Sequence, residues 1–364
     1  MTSKNIDVVL ELHKENTHLN TAMPPLTAES AGDLRADEWP APLDERIIAT
    51  TMEALESGQT HYVSVPGIDP LREAFAANLG IAGIEAGNVI VTAGVQESRF
   101  LTIQMIGQGY EQIAMPAVVH PGASKALGVR PMSLHSLEVA PDTQLATLAS
   151  MEAALSTGAR LFYLESPSRL TGAAYTPEQV ESIAGMMADS DAGVIWDQGF
   201  GPWSDATSLA AMDGTAARTA LIGEGFPGMG LASWYISYIA APEDWVGPMQ
   251  KQKQIMAICT ATASQYAALE ASNLADESQA AHRQRLAGVR EELVSLAEAA
   301  GFEVVGAGTA CVLALRLTNK AAAMAKLADA GYTLADGADF GAPDLMRLTV
   351  TTDGSPQAAL KLLA

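Results

Sequence analysis

Charged and glycine residues stand at or near the ends of several apolar runs in this sequence, and those are the positions where chemistry can be placed. Asp197 follows the run 193–196, Glu224 follows 220–223, and Arg347 lies within 345–351. Gly94, Val95 and Gln96 follow 88–92, and His120 lies in MPAVVHPG at 115–122. In open α/β sheets ligands sit at the carboxyl ends of strands, so each of these is a candidate contact. Gly94 permits close backbone approach, and the helix opening after it favours an anion, although a plain strand-to-helix turn uses the same residues. Asp197 serves either a pocket or a turn. Arg347 has the planar fork of a bidentate anion clamp, or is a surface residue of its strand. Arg169, within ESPSRLTGAAYTPEQ at 165–179, brings a permanent charge that binds an anion or faces solvent. His120 is a candidate base or a structural residue of a Pro-flanked turn, and Glu224 is a second candidate for acid–base work. No metal site is expected.

The elements that must position these residues follow from periodicity. Strand-like runs at 88–92, 112–115, 160–164, 193–196, 220–223 and 234–240 alternate with helical or loop segments. That alternation predicts an α/β layer structure with a mostly parallel sheet. Ahead of it, helices are predicted over 44–57 and 69–79, the second with Asp69 as N-cap and Pro70 as its first helical residue. Thr176, Pro177 and Gln179 make a capping-box-like helix start. Beyond Pro242, helices are predicted over 250–271 and 278–300, strands at 302–305, 311–317 and 345–351, and helices at 319–330 and 356–363. This is a smaller α+β unit built on a long helix. Residues 1–45 read as an amphipathic start followed by a Pro-rich, acidic passage at 23–43, an arm or cover that belongs with the small domain. The expected divisions are 1–45, 46–250 and 251–364.

Composition bounds the partners. The 42 acidic against 21 basic residues give a formal charge of −21, which argues against unaided binding to nucleic acid or an anionic membrane. An apolar content of 48% in 364 residues supports a buried core. Cys259 and Cys311 are the two cysteines, so a disulfide framework is not expected. The opening residues contain no apolar run of signal-peptide length, and no transmembrane run occurs. A soluble, cytoplasmic protein is the expectation. Of the eight lysines, Lys125, Lys251 and Lys253 fall in helical segments and are expected to be solvated.

The stretch LIGEGFPGMGLASWYISYIAAP at 221–242 carries a family resemblance. Its second half resembles the strand that follows the cofactor-binding lysine in class I/II aminotransferases, where the pattern is S-x-S-K, a short loop, then G-W-R-x-G-Y. Counted back from Trp234 and Tyr238, the lysine position falls on Pro227 and the phosphate-binding arginine on Tyr235. A gapped count moves the lysine to Glu224 or Gly225, and 221–242 holds neither Lys nor Arg.

Other segments are similar to the same family in the same order. VTAGVQES at 91–98 resembles the T-x-G-x-Q-E turn that holds a cofactor phosphate on the backbone of Gly94, Val95 and Gln96. In 165–179 the asparagine of N-P-x-N-P-T-G falls on Arg169. VIWDQGFG at 194–201 resembles the D-E-x-Y strand end, which makes Asp197 the partner of a pyridine nitrogen and puts Phe200 in place of a tyrosine. The ring-stacking aromatic falls on Val118. PDLMRLTV at 343–350 makes Arg347 the clamp for a substrate carboxylate, and 61–75 resembles a segment in which Tyr62 reaches a neighbouring subunit's phosphate site.

The resemblance implies a fold type I aminotransferase, α/β, with a mostly parallel seven-stranded sheet between helices plus a smaller α+β domain. It implies a homodimer with a small amino or keto acid as partner, and pyridoxal or pyridoxamine phosphate held non-covalently only, or no cofactor at all. Loss of the lysine implies that ordinary transamination is weak or absent. The alternative is a non-catalytic homologue, a pseudoenzyme that acts as a binding or partner subunit.

Overall fold

A computed structural model describes residues 32–37, 43–201, 204–306 and 311–364. The amphipathic start of the arm and most of its Pro-rich passage lie outside the described residues. Seven strands form the larger sheet: β2 (Val89–Ala93), β3 (Gln112–Pro116), β4 (Ser133–Leu137), β5 (Leu161–Glu165), β6 (Gly193–Asp197), β7 (Thr219–Glu224) and β8 (Ile236–Ala240). Their order is β2-β8-β7-β6-β5-β3-β4, and β8 runs antiparallel to both of its neighbours while the others are parallel.

Alternation along the strands explains why both faces are covered. In β6, Val194 and Trp196 belong to one apolar core and Ile195 to another; in β5, Phe162 and Leu164 face the first and Leu161 and Tyr163 the second. A sheet buried on both faces needs near-continuous apolar strands, which these are. The first core is closed by α1 (Glu45–Glu56), α2 (Asp69–Leu79), α5 (Leu148–Ser156), α6 (Pro177–Asp189) and the first half of α8 (Thr262–Ala299). The second is closed by α3 (Val95–Ile106), α4 (Pro121–Gly128) and α7 (Glu243–Met256).

A second, five-stranded sheet has the order β1-β11-β12-β10-β9, from β1 (Asp33–Leu34), β9 (Glu303–Val305), β10 (Val312–Arg316), β11 (Thr333–Asp336) and β12 (Leu345–Thr349). Its core packs on the later part of α8 and on α10 (Ser355–Leu363), with α9 (Lys320–Asp329) beside it. β1 therefore brings the segment 32–37 into this sheet, alongside β11.

Several local expectations change. The break between the two long helices falls at 257–261, inside the helix expected over 250–271, and not at 272–277: α8 runs unbroken through 38 residues, with Ala271 and Ala275 buried as it passes the polar stretch. Ile68 stands at the N-cap of α2, and Asp69 instead pairs with Arg72 at 2.8 Å one turn on. β4 and β11 have no counterpart in the sequence reading. β4 is SLHSL on the sheet edge, mostly exposed, and so lacks the apolar run that marks the buried strands. β8 begins at Ile236, since Ala232–Trp234 form a 3-10 turn and Tyr235 adopts φ 51°. Helix α7 runs across residue 250.

The two sheets meet over the carboxyl end of β3. Val119 N–H donates to Phe340 O at 2.9 Å. Gly341, at φ 99°, comes so close that a Cβ there would sit 2.3 Å from Ala117 O.

Candidate functional site

Three neighbouring parallel strands, β5, β6 and β7, end in Glu165, Asp197 and Glu224, with Glu165 in register with Asp197. Such a row of carboxylates at one sheet edge needs compensating cations. Two arginines supply them. Arg99, buried on α3, donates from Nε at 3.0 Å and Nη2 at 2.8 Å to Asp197 Oδ2. Arg169, in the loop after β5, is 0% exposed and donates from Nη2 to Asp197 Oδ1 at 3.0 Å and from Nη1 to Glu224 Oε1. Tyr163 OH at 2.8 Å and Gly199 N–H at 2.9 Å complete the Asp197 shell. An ionised carboxylate has about four lone-pair sites, so Asp197 is saturated by its own chain. Burial alone would raise its pKa, but the Arg169 and Arg99 charges outweigh that and hold it well below the usual carboxylate range.

Glu165 goes the other way. It accepts His120 N–H at 2.8 Å and Arg169 N–H at 3.3 Å, yet burial and the Asp197 charge push it up to about 7. Of the two registered carboxylates, Glu165 is the one pushed toward its protonated form, by burial and by the Asp197 charge. Glu224 is also raised, by burial first, against the pull of Arg169.

Arg347 lies inside the fold at 1% exposed. Its Nη1 donates to Asp37 Oδ1 at 2.5 Å and to Arg169 O at 2.8 Å, and Nη2 donates to Arg35 O. Its guanidinium also lies 5.5 Å from the Phe340 ring centroid. Asp37 Oδ2 is 3.5 Å from Arg169 Nη1 and 3.8 Å from His120 Nε2. Burial opposes ionisation of Asp37, and the Arg347 charge overrides it, so its pKa falls well below the usual range. His120 Nδ1 accepts Gly122 N–H at 3.0 Å and so caps α4. Burial, then the Arg99 charge, lowers the His120 pKa well below its ordinary value, and the imidazole is neutral.

At the β2–α3 turn Gly94 has φ 80°, and a Cβ there would lie 3.2 Å from the Tyr235 ring. Glu97 in the first turn of α3 accepts Ala93 N–H and pairs with Lys253 Nζ at 2.9 Å. Lys253 is fully buried, bonded also to Thr260 Oγ1 at 3.1 Å, where solvation was expected; α7 lies against α3 and turns it inward. Lys125 and Lys251 are exposed as expected. Gln96 Nε2 donates to Gly122 O at 2.9 Å, and Val95 packs partly buried against the core under α3.

The sequence profile of the family aminotransferase class I and II matches residues 30–363. The chain belongs to that family. Aspartate aminotransferase of Geobacillus stearothermophilus is 23% identical over 331 residues, 85% of this chain and 84% of that protein. The Bacillus subtilis protein YugH is 27% identical over 227 residues, 60% of this chain and 58% of that protein, so the match spans less than two thirds of its length. Among solved structures, an aspartate aminotransferase mutant of Thermus thermophilus superposes with a TM-score of 0.84 at 21% identity, over 94% of this chain and 97% of that one. The fold is that of the fold type I aminotransferases.

Aminotransferases of this family normally use pyridoxal phosphate. The residues present here do not fit it. The sequence reading puts the lysine position on Pro227 in a direct count and on Glu224 or Gly225 in a gapped one, and Glu224 is tied to Arg169. Tyr235, to which the sequence reading assigns the phosphate arginine's position, is 66% exposed. Val118 packs with Leu170, Val305, Phe340 and Leu345 in an apolar cluster. Phe200 is buried in the core of the smaller sheet, with the Arg169 guanidinium 5.4 Å from its ring centroid. Tyr62 is 80% exposed.

The edge thus gathers Asp197, Arg169, Glu224, His120 and Arg347 in one network, while Val95, Gln96, Tyr235 and Tyr62 stand apart from it. Arg99, Tyr163, Glu165 and Asp37 are members that the sequence reading missed. An arginine between Ser98 and Leu101 on a helix face that the core needs was a usable signal for Arg99. Asp37, in an acidic passage, offered none. No group of three or more His, Cys, Asp or Glu able to hold a metal ion occurs among the described residues, and no helix there is long and apolar enough to cross a membrane.

Proposed function

We propose that this chain is an aminotransferase-family protein without transaminase turnover, a binding or partner subunit whose inherited cofactor pocket is closed by its own ion pairs. One observation carries this reading. Of the two groups that match the family's machinery, Asp197 is saturated by Arg99, Arg169, Tyr163 and Gly199, and Arg347 has both Nη groups taken by Asp37 and by backbone carbonyls. Among the described residues, three arginines face Asp197, Glu224 and Asp37, and Lys253 beside the β2–α3 turn is taken by Glu97. A ring entering beside Asp197 would have to break buried ion pairs, a cost that grows as water is excluded. Absence of the acid–base lysine lowers rate by a further factor of roughly 10² to 10⁴.

Weak non-covalent binding of pyridoxamine phosphate, or of an amino or keto acid, is the second reading. The turn at Gly94 and the position of Asp197 at its strand end favour it. Exposed Tyr62, Tyr235, Ile255, Met256 and Ile258 support a homodimer, since large apolar groups on one chain's surface are readily covered by a second copy. β1, joined to the smaller sheet, supports assigning the arm to that unit. A count of two cysteines in 364 residues suits a reducing cytoplasm.

The test is turnover. Protein supplied with pyridoxal phosphate, an amino donor and a keto acceptor should convert them no faster than pyridoxal phosphate alone. A rate that scales with protein, saturates in donor and is lost in Asp197→Asn would overturn the reading.

A further inference from the structure

A cavity of about 580 Å³ opens between the end of α2, the middle of α8 and the carboxyl ends of β6 and β7. It shares Glu224 with the ion-pair network but none of the groups that hold Asp197. We propose that this cavity binds a small molecule carrying a protonated amine on a short apolar body. The volume lies within the range of small-ligand sites.

The charge of the wall sets the sign of the ligand. Glu224 stands at the inner end and Asp276 on α8 lines the same space, and among the described lining residues there is no Lys, Arg or His. Arg169 uses Glu224 Oε1, and Oε2 has no partner among the described residues. The Arg169 charge behind it is itself met by Asp197 and Asp37, so it does not reverse the sign of the wall. Burial raises the Glu224 pKa despite Arg169, the condition of a carboxylate that a second cation would relieve.

The rest of the wall fits an apolar body with one polar substituent. Phe75 and Phe226 stack with centroids 5.1 Å apart, and Phe75 meets Tyr238 at 5.0 Å, giving a continuous aromatic side. Gly223 lies beneath the Tyr238 hydroxyl, where a Cβ would come within 2.6 Å of it, so a side chain there would displace the ring from the wall. Gln198, Thr207 and Ser208 line the same space and supply its polar groups.

The experiment is calorimetric titration of the full chain with three probes of similar size: phenethylamine, 2-phenylethanol and 3-phenylpropionate. Phenethylamine should bind with one site per chain, the alcohol about tenfold more weakly, and the carboxylate not measurably. Glu224→Gln and Asp276→Asn should each weaken phenethylamine by about three- to tenfold. Asp276 is exposed and makes no ion pair among the described residues, so its variant tests the site even if loss of the Arg169 partner unfolds the other. No phenethylamine binding at millimolar concentration, equal affinity for amine and alcohol, or binding unchanged in Asp276→Asn would overturn the proposal. None of these outcomes bears on transaminase turnover, which is measured separately.

Discussion

The turn between β2 and α3 and the ends of β5, β6 and β7 lie along the same edge of the large sheet and have departed from the family pattern in opposite ways. At the turn Gly94 stands at positive φ ahead of a helix, and the position to which the sequence reading assigns the phosphate arginine holds an exposed Tyr235. At the strand ends charged residues persist and one is added, yet Arg169 and Arg99 are spent on Asp197, and Asp37 on Arg347. On the proposed reading the first region has lost its partner for an anion. The second has internalised it. A retained functional residue therefore says little about a living site until its own partners are known, because a saturated carboxylate is structural whatever its ancestry.

The largest expected effect is at the saturated edge. Asp197→Asn leaves two buried arginines short of charge and should cost about 3–5 kcal/mol in urea unfolding at neutral pH. A loss below about 1 kcal/mol would mean that these pairs do not hold the edge, and the contrast between the two regions would fail.

Glu165 sharpens the contrast through pH. With its pKa raised from 4.5 to about 7, the folded chain holds a proton there that the unfolded chain releases. Its stabilisation is full below the unfolded value and is lost as pH rises through the folded one, a change on the order of 3 kcal/mol. Asp197 and Asp37, whose pKa values are lowered, act in the opposite sense and lose their contribution as pH falls below the ordinary carboxylate range. Glu165→Gln should flatten the decline between pH 5 and about 7 while leaving the acid limb intact. An unchanged pH profile would place the buried proton elsewhere.

Asp37→Ala should cost less, about 1–3 kcal/mol, because Arg347 keeps its carbonyl partners. The variant should gain thermal stability from added acetate or succinate that the parent does not, since a small carboxylate replaces the missing one. No such rescue would show that Asp37 does not occupy a carboxylate slot. The smallest effect is at the turn. Tyr235→Arg, at an exposed position, should change stability by no more than about 0.5 kcal/mol and should not by itself produce binding of pyridoxamine phosphate.

Much of this fold was legible because buried parallel strands announce themselves as apolar runs, and the order of strand-end motifs fixed the family. β1, β4 and β11 were not legible, β4 being a polar sheet edge and β1 and β11 lacking the apolar run that marks the equally short β9. The site was legible in part. Arg169, Asp197 and Arg347 were visible as charges in telling places, but whether they were free depended on Asp37 and Arg99. Asp37 pairs with Arg347 across 310 residues, and Arg99 with Asp197 across 98, distances at which local patterns carry no information. Lys253 was misjudged for the same reason, since its partner Glu97 lies 156 residues away on another helix.

The claim that the inherited pocket is filled by the chain's own charges meets its most direct test in equilibrium binding of pyridoxamine phosphate, followed by calorimetry. This probe cannot form an imine with surface lysines, so any heat reports a real pocket. The expected result is no saturable binding at millimolar ligand. Binding with one site per chain that disappears in Asp197→Asn, with the variant shown to be folded, would contradict it and establish a living cofactor site at the end of β6.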